Sequence, residues 1–96
     1  MHAAAIRVEL LLRDVSSLKE KRSRLKGVAR RLGDKYPVAV AEIDHQDLWK
    51  RATLGVAVVA GQNGQLNRLL HSVIRWFESQ DDLEVLETVT AFMVEE

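Results

Sequence analysis

The chain has 96 residues, enough for one domain that buries roughly two-thirds of its unfolded surface; a single domain over 1–96 is expected. It contains no cysteine, which excludes disulfides, thiolate metal sites and cysteine nucleophiles. Fourteen bases balance fourteen acids, but residues 1–35 hold ten bases against four acids, whereas residues 76–96 hold seven acids and no base.

Partners sense local potential rather than the sum, so this segregation points to a binding module with a positive face. No apolar run approaches the roughly 20 residues of a membrane helix, and the first residues read as a strand rather than a signal peptide. A cytoplasmic protein with no membrane partner is expected.

Residues 3–12 alternate as a strand, with Ile6, Val8, Leu10 and Leu12 on one face and Arg7 and Glu9 on the other. Ser17, followed three residues later by Glu20, opens a helix with the spacing of a capping box. Leu18, Leu25, Val28, Ala29 and Leu32 form its apolar stripe, and Gly33 is placed to stop it. Lys19, Lys26 and Arg30 fall opposite that stripe, with Lys21, Arg22, Arg24 and Arg31 flanking it. Over about sixteen residues, roughly 24 Å, the seven bases make a basic ridge opposed only by Glu20.

Val38–Ile43 and Thr53–Ala60 read as strands, the latter small or apolar on both faces as a central strand should be. A polar connection, 44–51, joins them. Gly61–Gly64 breaks the chain, with Asn63 as the expected cap of a second amphipathic helix. That helix turns Leu66, Leu69, Leu70, Val73 and Phe77 inward, with Trp76 at the inner edge and Arg68, His71 and Arg75 outward. Residues 83–94 form a last strand suited to an exposed edge.

The order β-α-β-β-α-β with right-handed crossovers predicts an α+β, ferredoxin-like sandwich: a four-stranded antiparallel sheet with two helices on one face. The other face is left bare, showing Arg7, Glu9, Gly55, Ala57 and Val59. Such a face is a ligand platform or a subunit interface.

Ser17–Arg22, Ala41–Thr53 and the strand Gly55–Val59 resemble the YlxP-like family over nearly the whole chain. The resemblance implies a ferredoxin-like fold and, from the genes that commonly accompany such proteins, a role near RNA or the ribosome. It implies no catalytic residues. The short Gly61–Gly64 loop departs from the more charged approach to the second helix in similar proteins, so no phosphate role is carried over to it.

Two constellations carry chemistry. The basic ridge (Lys19, Lys21, Arg22, Arg24, Lys26, Arg30, Arg31) offers spaced cations to a phosphate backbone, whose affinity comes largely from released counterions; its plainer alternative is a solvated helix face. In the loop, Glu42, Asp44, His45 and Asp47 offer oxygen and imidazole ligands for a hard divalent cation, or His45 as a general base. The plainer reading there is a turn network in which Asp47 caps a helical turn and Lys50 or Arg51 meets an acid. Trp49 stacks on a base or packs beside its hairpin.

The expectation is a non-enzymatic module with no cofactor or metal that meets RNA or a ribosomal subunit through the ridge, with His45, Gln46, Trp49, Lys50 and Arg51 as secondary contacts. Two rivals stand beside it. One is a homodimer built through the bare sheet face or by acid–base complementarity; the other is a metal-dependent or small-molecule enzyme at 42–51.

Overall fold

Period-two alternation dictates the first strand, β1 (His2–Leu12), whose even-numbered residues from Ala4 to Leu12 are buried. The computed structural model describes residues 1–95; Glu96, the final acid of the acidic end, lies outside the described residues. Helix α1 (Leu18–Lys35) follows, then β2 (Ala39–Asp44), β3 (Arg51–Ala60), α2 (Asn63–Glu78) and β4 (Leu83–Val94). The strands form one antiparallel sheet in the order β2-β3-β1-β4. This is the ferredoxin-like α+β arrangement, with β3 and β1 central and β2 and β4 at the edges.

Register explains the core. Ile6 pairs with Val56, Val8 with Leu54 and Leu10 with Ala52, so both central strands turn the same apolar set toward the helices. Leu25, Val28 and Leu32 of α1 and Leu66, Leu70, Val73 and Phe77 of α2 close over that face. Trp76 is buried as expected, meeting Phe77 edge to face at 5.2 Å.

Two local expectations are corrected, and β4 holds an irregularity besides. Gly33 does not end α1: the helix runs through it to Lys35 and closes at Tyr36, whose N–H donates to the Leu32 carbonyl. Pro37, next in sequence, pushes Tyr36 out of helical geometry, as its extended backbone shows. At α2 the cap residue is Gln62, with no side-chain cap bond, and Asn63 is already helical. In β4 the register shifts between Glu9 and Leu10 of β1, so Leu86 is an extra, bulged residue. No helix among the described residues is long and apolar enough to cross a membrane.

Candidate functional site

The N-terminus of α1 is fixed by Ser17, whose hydroxyl accepts from the Glu20 N–H at 3.1 Å. The reciprocal half of the expected capping box is displaced by one residue. Glu20 accepts from the Ser16 hydroxyl at 2.7 Å and from the Ser16 N–H at 3.3 Å. These bonds, the hydroxyl first, hold its carboxyl below the ordinary glutamate value, with the nearby Arg24 charge assisting.

The seven bases of the ridge divide by environment. Lys21 is not a surface cation, contrary to the expectation: it is 1 % exposed. It occupies a core position because 18, 21, 25, 28 and 32 follow one another at helical three- and four-residue spacing. Its ammonium donates to the His45 and Leu48 carbonyls, each at 2.5 Å. It also lies 2.9 Å from Glu42 Oε2, as an ion pair rather than an aligned hydrogen bond. Two carbonyls and a carboxylate thus surround the ammonium inside the protein.

Arg24 is also engaged. It donates to the Arg13 and Asp82 carbonyls and stands 3.6 Å from the Asp82 carboxylate, tying α1 to the chain after β1 and to the turn before β4. Arg13 itself meets Glu84 at 3.8 Å and the Asp81 carbonyl at 3.3 Å. Arg31 sits over the Trp76 ring at 5.9 Å and donates to Gln80. The acids that oppose the ridge therefore come from β2 and the turn before β4, and not from Glu20 alone.

Lys19, Arg22, Lys26 and Arg30 remain. All four are exposed, and among the described residues none has an ion-pair partner. At 3.6 residues per turn they lie within about 80° of arc and span about 16 Å along the axis, a single straight row. Arg22 and Lys26 also rim a groove of about 240 Å³ between α1 and β2, floored by Leu25, Ala29, Val40 and Leu54.

The 44–51 loop is assembled differently from either sequence-based reading. Glu42 turns to the helix side to meet Lys21, Asp44 accepts from the His45 N–H at 2.8 Å, and Asp47 is exposed. His45 crosses to the other side of the sheet, where its Nε2 lies 3.7 Å from Glu9 Oε2; the same oxygen accepts from Thr53 Oγ1 at 2.7 Å. The four groups do not converge, and no set of three such ligands meets among the described residues. Asp47 lies in a turn and caps no helix, and among the described residues neither Lys50 nor Arg51 has an ion pair. His45 adopts φ 59, left-handed backbone that a histidine tolerates only when its surroundings impose it. The bonds from Lys21 Nζ and from the Leu48 N–H (3.1 Å), both to its carbonyl, are that imposition. Trp49 is 45 % exposed rather than packed away, and Gln46 and Lys50 are exposed beside it.

The fold and this helix-borne row define a small ferredoxin-like module with a narrow cationic face. The chain belongs to the family described as protein of unknown function (DUF503), which it matches over residues 3–90. It is also similar to the uncharacterized protein YlxP of Bacillus subtilis (strain 168), with 36% identity over 76 residues, covering 79% of this chain and 83% of that protein.

Proposed function

We propose that the chain is a non-enzymatic, cytoplasmic module that binds RNA, a ribosomal subunit being the intended surface, through Lys19, Arg22, Lys26 and Arg30. The observation that carries this reading is the row itself: four exposed, uncompensated cations on one line of a rigid helix. Intramolecular carboxylates occupy Lys21 and Arg24 and leave these four unmatched. Contacts of this kind go to phosphates and set position, not sequence. Gln46, Trp49 and Lys50 lie exposed on the loop that Lys21 anchors, where they serve as secondary contacts.

The test is binding of a short single-stranded RNA, followed by fluorescence anisotropy across a salt series. Four phosphate contacts give a fall of about 3 in log K per unit log salt, at about 0.7 per contact. Lys26→Gln should lower that slope by about 0.7 whatever the RNA sequence. Absence of binding at low salt, or binding indifferent to salt, defeats the proposal.

A further inference from the structure

The face of the sheet turned away from the helices carries an unexpected pattern. The register brings one alanine from each strand into a single line across it: Ala39, Ala57, Ala5 and Ala91. On one side of that line stand Val59 and Met93, which are 62% and 53% exposed. On the other side lies Gly55, paired with Arg7, which pairs in turn with Val89. Gly55 sits in a depression of about 510 Å³ bordered by Ile43 and Val89, with Arg7, Glu9 and Glu87 along its polar end. A methyl group there would come within 3.2 Å of Ile43, so Ile43 packs directly against the bare Gly55 backbone at the edge of the depression.

We infer that this face is the interface of a homodimer, two sheets stacked about a two-fold axis that runs across the strands along the alanine line. Such an axis exchanges the two sides of the line. Val59 of each copy then falls over the partner's Gly55 hollow, and Met93 over the partner's Val89. A two-fold contact makes every such fit twice, because each copy offers the same patch. The alanines stack on their own counterparts, where small side chains let the sheets close. Arg7, in the row of Gly55 and Val89, comes to lie over the small Ala3 position of the other copy, and its guanidinium extends toward Glu9 and Glu87, which pair two positions beyond it at the wet rim of the contact.

The area agrees with a dimer. Four strands at about 4.8 Å spacing and some eight residues at about 3.3 Å give roughly 500 Å² on each copy, about 1,000 Å² in all, where specific interfaces begin. An exposed patch of this size is often a contact surface. A helix or strand from another protein would leave the knob-and-hollow pairing unmatched on one side.

The test uses the full chain and its lack of cysteine. Sedimentation equilibrium from micromolar to submillimolar concentration should show twice the 10.9 kDa mass of the chain, and the dimer should persist in high salt. Ala57→Arg sets two guanidinium groups against each other across the axis and should give a monomer with unchanged circular dichroism. Ala57→Cys should be captured as a dimer by a bismaleimide spanning about 10 Å, the spacing of stacked sheets. His71→Cys, exposed on α2, should not be captured. A wild-type chain that stays monomeric, including one whose sheet face is covered by a different protein, overturns the inference. So does a dimer that survives Ala57→Arg, equal capture of the two cysteine variants, or dissociation by salt, which would mark association between acidic and basic ends instead.

Discussion

Lys21 shows how one residue changes character with its surroundings. Its charge places it with six other bases in sequence, yet its ammonium is used up by two carbonyls and Glu42. Its work is to hold the chain between β2 and β3 and to sustain the left-handed backbone of His45. Lys21→Ala should therefore cost about 3 kcal/mol in chemical denaturation, because the carbonyls and the carboxylate lose their buried partner. The Glu42 Oε2 facing Lys21 is buried, but the side chain keeps 23% exposure and can turn toward water once the lysine is gone, so the loss falls at the lower end of the range for such pairs. Lys19→Ala, by comparison, should change stability by no more than about 0.5 kcal/mol, as surface substitutions do. A Lys21 variant as stable as wild type would return this residue to the surface row. The signal for it was present in the sequence: a lysine in step with Leu18, Leu25, Val28 and Leu32, and a glutamate in step with Val40 on an inward-facing strand position. Each alone reads as an exception to patterning; only their adjacency across two elements makes them a pair, and adjacency is a tertiary fact.

Elements were legible where periodicity is long and blurred where single residues decide. The central strands followed directly from alternation, since ten consecutive pairings bury the same side of β1. The end of α1 did not, because glycine is only a permissive stop. Gly33 adopts no positive φ, and α1 continues to the point where Tyr36 must satisfy the proline after it. An added Cβ at Gly33 meets nothing within 4 Å. Gly33→Ala should thus stabilise the protein by about 0.5–1 kcal/mol, by removing the backbone freedom that glycine has in the unfolded chain. A rise in the melting midpoint checks this; a fall would mean that α1 does not run through residue 33. The 44–51 loop was the least legible element. Its acids and histidine are close in sequence, but strand alternation turns Glu42 to the helix side, whereas His45 lies past the end of β2, where a left-handed backbone carries its ring to Glu9 on the bare face.

At the scale of the molecule, the neutral total charge conceals partial compensation within the chain. Arg24 meets Asp82 and Arg13 meets Glu84, so part of the acidic end is spent on the basic segment; on the helix side the α1 row has no ion pair among the described residues, nor do the exposed Arg68 and Arg75 of α2. The two proposals place that row and the apolar sheet face on opposite sides of the fold. In a face-to-face dimer the sheets lie about 10 Å apart with a helix layer about 10 Å thick outside each. The two rows then face away from each other, roughly 30 Å apart by those spacings. No short strand can touch both. Calorimetric titration with a short single-stranded RNA should accordingly give one RNA per chain, with the same affinity in the wild-type dimer and in the monomeric Ala57→Arg variant. A longer RNA that folds around the dimer gains from the second row by effective concentration, and only the wild type should show that gain. One RNA per dimer, or an Ala57→Arg monomer that no longer binds the short strand, would place the RNA contact on the sheet side and remove the helix row from the function.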